Sequence, residues 1–128
     1  MSERAIEVFA ALYFLVIGLS HLFQPHAWID FFVRLREGGR SGMFTEGFQS
    51  LSFGALIVAF HNVWSGLPML LTLIGWGQVV KGLTRFVLPQ LSLRVYQHLS
   101  YERVAHFRVA GAVALAIGGA LVYLAASP

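Results

Sequence analysis

The sequence predicts an all-α integral membrane protein, a four-helix bundle made of two parallel half-repeats that each read span, amphipathic stretch, span. Three observations carry that expectation. Hydrophobic residues make up 57% of the chain and charged residues only 12%, with a mean hydropathy of +0.69, far from the balance of a soluble domain. Four apolar stretches, residues 5–23, 44–60, 69–88 and about 104–125, are long enough to cross about 30 Å of hydrocarbon as helices. A shift of 64 residues, the distance from Pro25 to Pro89, also lays Gly18 on Gly82, Gly47 on Gly111 and Gly54 on Gly118 without a gap. Internal matches of this kind mark membrane proteins built by duplication. The expected domain is residues 1–128, with half-repeats 1–64 and 65–128.

The elements follow in chain order. The first span has acidic as well as basic residues before it, is too long for a signal-peptide core and has no clear cleavage site, so it is expected as a mature helix. Pro25 ends it, because proline lacks the amide donor and clashes with the preceding turn. Trp28, Phe31, Phe32 and Leu35 then fall at i, i+3, i+4 and i+7, opposite Asp30, Arg34 and Glu37. This apolar side is expected to sink into the headgroup boundary. Gly38, Gly39, Ser41 and Gly42 read as a flexible hinge before the second span.

The connection at residues 61–68 is short enough to force spans two and three into an antiparallel hairpin. Asn62 is expected in the left-handed conformation, Ser65 or Gly66 at the next helix start, and Pro68 in its first turn. Trp64 is expected among the headgroups. After the third span Pro89 repeats the role of Pro25, and Leu91, Val95 and Leu99 form a weaker amphipathic pattern opposite Arg94 and Gln97. In span four Ala110, Ala114 and Gly118 lie on one row with Gly111 beside them. Gly47 and Gly54 play the same part in span two, the small-residue spacing that lets helices approach closely.

The segment HNVW followed by LTLIGWGQVVKGLTRFVLP resembles a pattern in uncharacterised small four-helix bacterial membrane proteins. The resemblance covers roughly residues 61–89 and implies a bacterial origin and a membrane location. It brings no activity with it.

Charge placement sets an orientation. Arg34, Arg36, Arg40, Lys81, Arg85, Arg94, Arg103 and Arg108 belong to the face holding the two long connections or to the helix ends nearest it, and of the nine Lys and Arg only Arg4 opposes them. The positive-inside rule then predicts both termini in the periplasm and both connections in the cytoplasm of a bacterial inner membrane. That bias accounts for the pI of 9.8 without a nucleic-acid partner. Membrane lipids, anionic ones among them, are the expected partners, with a second membrane protein or a second copy of the chain as further candidates. The absence of cysteine excludes disulfides and thiolate chemistry.

Polar residues inside the spans point to the site. Gln78, Lys81 and Arg85 lie at i, i+3 and i+7 of span three, while Glu46, Gln49 and Ser50 occupy one side of the start of span two. At 1.5 Å per residue Arg85 sits about 5 Å and Lys81 about 10 Å inside the cytoplasmic end, so Glu46 is placed to meet both. Ionisable groups in hydrocarbon are costly and commonly functional. Glu46, Gln49, Gln78, Lys81 and Arg85 are therefore the expected ligand-binding set, with Trp28, Phe31, Phe32, Leu35 and Trp64 at the membrane interface. A purely structural ion pair with a snorkelling lysine is the competing reading.

The histidines are weaker candidates. His21 and His106 near helix ends could in principle hold haem, but no local ligand motif joins them to His26, His61 or His98. Glu7 and His21 lie about 21 Å apart along one helix, too far for a catalytic pair. No catalytic set, metal site or cofactor is expected. The function expected is that of a binding or accessory module with a cytoplasm-facing polar cleft for an anionic lipid or ligand. The alternatives are a small oligomeric channel or transporter, and a haem- or quinone-binding redox subunit.

Overall fold

The computed structural model describes residues 2–98 and 101–127. They form six α-helices: α1 (Glu3–Phe23), α2 (Pro25–Glu37), α3 (Gly39–Phe60), α4 (Met69–Val87), α5 (Pro89–Val95) and α6 (Val104–Ala126). Short 3-10 turns follow α5 at Tyr96–His98 and Tyr101–Arg103. The expected four-helix bundle is therefore corrected to a six-helix fold. Three helices, α1, α3 and α6, are long and apolar enough to cross a membrane. Helix α4 runs alongside α3 and is long enough to cross with it, but Gln78, Lys81 and Arg85 in its second half make it less apolar than these three.

The half-repeat description does not survive either. Helix α2 runs for 13 residues, whereas α5 stops after 7 and tightens into 3-10 turns as Tyr96 turns inward towards α3. Leu99, expected on the apolar side of this second stretch, lies outside the described residues.

Two close helix pairs make the frame, α1 with α6 and α3 with α4. Glycine permits both. A Cβ on Gly18 would stand 2.9 Å from the Gly111 carbonyl oxygen, and one on Gly54 would stand 2.6 Å from the Val79 amide nitrogen, so the backbones themselves are in contact. Gly47 and Gly54 thus serve the α3–α4 seam and Gly111 and Gly118 the α1–α6 seam. In hydrocarbon, where burial of apolar surface gives no drive, such close packing is a main source of helix association.

The pairs join at one end through Ile6, Ala10 and Ala11 of α1, Ile57 of α3, Leu71 of α4 and Leu121 of α6. Beside this core His61 is fully buried, with Nδ1 3.0 Å from Thr72 Oγ1 and Nε2 3.9 Å from Glu7 Oε1. The Val63 amide donates to the same Thr72 oxygen at 3.0 Å. Arg4 donates to the carbonyls of Ala125 and Ser127, each at 2.7 Å, so both terminal helix ends lie at this end of the molecule.

At the opposite end α2 and α5 fold back across the pairs. The anticipated hinge is instead a tight corner, in which Gly39 takes φ +60° and a Cβ on Gly42 would overlap the Leu35 carbonyl. The other turn differs in a similar way. Gly66, at φ +69°, supplies the left-handed residue expected of Asn62, and Pro68 precedes α4 as its N-cap. Asn62 is used otherwise: it donates to the Val58 carbonyl and accepts from Trp76 Nε1.

The outer faces stay apolar and uncovered. Leu12 and Val16 of α1 are 61% and 63% exposed, and Val80, Leu83, Val109 and Val113 stand out in the same way on α4 and α6. A soluble monomer rarely presents apolar surface on this scale. With three helices able to span, the chain is a membrane protein.

Candidate functional site

Helix periodicity places Gln78, Lys81 and Arg85 on the side of α4 that faces α3. Glu46, one turn into α3 beyond the glycine corner, lies opposite them, and its carboxylate is only 3% exposed. Lys81 Nζ stands 2.8 Å from Oε1, and Arg85 Nε donates to Oε2 at 3.3 Å. Lys81 is the partner of Oε1 and Arg85 that of Oε2, so each carboxylate oxygen faces one cation. The triad carries two cations against one carboxylate.

Residues from α5 and the following turn complete it. Arg85 Nη1 donates to Ser92 Oγ at 3.1 Å and to Thr84 Oγ1 at 3.2 Å, and its guanidinium lies 5.7 Å over the Tyr96 ring. The Tyr96 hydroxyl donates to Glu46 Oε2, and its backbone carbonyl accepts from Arg36 Nη1 at 3.1 Å. Burial, followed by the neighbouring Glu46 carboxylate, pushes the Tyr96 hydroxyl pKa well up, since both disfavour a phenolate. One node thus ties α2, α3, α4 and α5 together. Arg85, 12% exposed, belongs to this node, whereas Lys81, 37% exposed, reaches past it into open space.

That space is a cavity of about 250 Å³ between the two helix pairs. Tyr13, Phe14, Ile17 and His21 of α1 form one wall. Glu46, Gln49, Ser50 and Phe53 of α3, with Gln78 and Lys81 of α4, form the other. Trp28, Phe31 and Phe32 of α2 close its end. Helix α2 is held there by specific contacts: Trp28 Nε1 donates to Ser20 Oγ at 2.8 Å, and its ring stacks on His21 at 4.2 Å. His21 Nδ1 in turn donates to the Ile17 carbonyl at 2.8 Å.

Four of the five expected ligand residues, Glu46, Gln49, Gln78 and Lys81, therefore share one cavity, and Arg85 stands behind Glu46 as its second cation. The interface set divides. Trp28 and Phe32 face the cavity half-buried, Phe31 is exposed at its edge, and Leu35 is buried in the protein against the corner at Gly42. Ile29, which the amphipathic pattern did not single out, is fully buried beside them. Trp64 is exposed in the connection between α3 and α4.

Tyr13, Phe53, Ser92 and Tyr96 take part without having been singled out in the sequence. Tyr13 and Phe53 are ordinary aromatics in apolar spans, and Ser92 and Tyr96 lie beyond the proline that breaks the helical register, so no spacing announces them. Among the described residues no group of three His, Asp or Glu gathers as a metal site. His106 is exposed, and the side chain of His98 lies outside the described residues. Comparison with protein families, with curated proteins and with solved structures finds no match to this chain.

Proposed function

We propose that the protein is a membrane-embedded binding module whose cavity takes the anionic head of an amphiphile, with Lys81 as the contact cation. The carrying observation is the division of labour between the two basic residues. Arg85 is held by Glu46, Ser92 and Thr84, while Lys81 spends one carboxylate contact and offers its ammonium, with three donors, to the cavity. The triad's surplus of one positive charge suits an anion, and Gln49 and Gln78 add neutral hydrogen-bonding groups beside it. Trp28, Phe31 and Phe32 line the same space with apolar surface, which lowers the local dielectric around a charge-assisted contact.

The arginine-rich end carrying α2 and α5 faces the cytoplasm in this reading, by the positive-inside rule. The end where Arg4 binds the carbonyls of Ala125 and Ser127 faces the periplasm. The cavity thus draws from the leaflet where anionic lipid concentrates.

Mass spectrometry under non-denaturing conditions tests the proposal. Wild-type protein retains an anionic amphiphile through purification, Lys81→Met loses it, and Arg94→Met, a change at an exposed cation away from the cavity, keeps it. Equal retention in all three proteins would leave the triad with a structural role only.

A further inference from the structure

The cavity is too small for the whole of such a ligand. Pockets for drug-sized molecules begin at about 300 Å³, and about 250 Å³ accommodates a headgroup with little chain. A second hollow lies next to it. A groove of about 500 Å³ runs between α1 and α3 on the outside of the molecule, walled by Phe9, Phe48 and Leu56 with Ser52 between them. Tyr13, Gln49 and Phe53 line both spaces. These three side chains are the partition between cavity and groove, which is one side chain thick.

This partition is closed by side chains, with a single hydrogen bond as its polar latch. Gln49 Nε2 donates to the Tyr13 hydroxyl at 3.2 Å, and the Tyr13 ring stacks on Phe53 at 4.4 Å. A single neutral hydrogen bond is modest in strength. The main contacts of the two helices lie elsewhere, α1 on α6 and α3 on α4, and at this level α1 meets α3 through side chains only, with Phe9 and Phe14 also beside the Phe53 ring at 5.8 and 6.0 Å. From Gln49 to Leu56 the groove follows α3 for about 10 Å, and Phe48 and Ser52 on its rim are exposed to the surroundings of the protein.

We infer that the ligand is a single-chain anionic amphiphile whose head sits at Lys81 and whose hydrocarbon chain leaves sideways, past the Tyr13–Gln49 hydrogen bond, along the groove between α1 and α3. This rests on the head-binding role of the cavity proposed above. Continuity of the two spaces and the charge at the inner end commit the groove to the chain of that same molecule. One groove gives room for one chain. A chain moving from lipid to the groove gains no hydrophobic free energy, so the groove fixes direction while the head supplies affinity. The Tyr13–Gln49 contact is then a gate opening on the bilayer.

Because the groove acts on position, the test maps position. Two probes carry a photoactivatable diazirine at mid-chain, one a long-chain fatty acid and the other a lysophosphatidate, so that carboxylate and phosphate heads are compared on one chain. Irradiated with the full-length protein, either is expected to label residues 9–13 and 48–56, and the head that labels more strongly identifies the source. Lys81→Met lowers that labelling about tenfold, as the loss of one charge-assisted contact implies. Ser52→Trp fills the groove from an exposed position that leaves the fold intact, and it moves the label off residues 48–56 while the amphiphile is still retained. Label spread evenly over Leu83 of α4 and Val113 of α6, with retention still dependent on Lys81, would keep the head site and overturn the lateral path. Labelling and retention both indifferent to Lys81→Met would overturn the head site itself, and the path with it.

Discussion

Replacing Glu46 by glutamine tests the node on which the cavity is built. The change keeps the shape and removes the charge, so Arg85 and Lys81 lose their anion and Tyr96 loses its charged acceptor. Breaking a buried ion pair in a soluble protein costs roughly 3–5 kcal/mol. Interaction energies inside membrane proteins are smaller, averaging about 0.6 and reaching about 1.7 kcal/mol. With three groups losing one partner, a loss of about 2 kcal/mol is expected, read as the midpoint of unfolding in detergent. The partition between the cations then follows from exposure rather than distance. Lys81 is nearer, at 2.8 Å against 3.3 Å, but its 37% exposure lets it swing away and be solvated, while Arg85 at 12% stays pinned by Ser92 and Thr84. A double-mutant cycle of Glu46→Gln with Arg85→Gln is therefore expected to give a coupling of about 1–1.5 kcal/mol, and the cycle with Lys81→Gln less than about 0.5 kcal/mol. Additive losses in both cycles, or a stronger coupling to Lys81, would refute the division of labour.

Three further outcomes follow from the same structure. A Cβ on Gly54 would meet the Val79 amide nitrogen at 2.6 Å and the Gly75 oxygen at 2.7 Å, so Gly54→Ala is expected to cost about 1–3 kcal/mol, whereas Gly77→Ala meets nothing within 4 Å and is expected to gain up to about 1 kcal/mol from helix propensity. Thermal unfolding of the two variants compares them directly. Tyr96 keeps its proton in the folded state where the unfolded side chain ionises near pH 10, so its contribution is full below about pH 10 and falls by about 1.4 kcal/mol per pH unit above it until the raised folded-state pKa is reached. The stability difference between wild type and Tyr96→Phe should accordingly shrink in alkali, and a difference constant through that range would contradict the assignment. For topology, a periplasm-active reporter is expected to be active when fused after Pro128 and silent at Gly39; the reverse pattern, or a mixture, would overturn the orientation.

How far the sequence carried this picture depended on whether a feature is local. The helix limits were legible, since apolar runs and prolines act over a few residues, and α1, α3, α4 and α6 begin and end within a few residues of the expected spans. The meeting of Glu46 with Lys81 and Arg85 was legible as well, because helical spacing and depth along the axis fix both sides of the pair. The fate of the amphipathic face of α2 was not. Periodicity shows that Trp28, Phe32 and Leu35 share a side, but an apolar side can face lipid or protein equally, and here the bond from Trp28 to Ser20 decides for protein. The bundle itself was misjudged for a related reason. Length and overall apolar character made residues 69–88 a span like the other three, while the polar stripe that makes α4 useful to the site lowers its hydropathy below theirs. The tyrosines at 13 and 96 were invisible because each acts on a helix distant in the sequence, and the serine at 92 because the break at Pro89 turns it back onto Arg85 by a path that no helical spacing gives.

The most direct test of the central claim is a titration in which Trp28 reports on the cavity it closes. With Trp64→Phe and Trp76→Phe introduced, the remaining indole emission is followed as a long-chain fatty acid is added to the protein in detergent. Binding of the anionic head beside Lys81 predicts a saturable change in Trp28 emission that Lys81→Met weakens about tenfold. No saturable change, or the same curve with and without the Lys81 ammonium, would contradict the account.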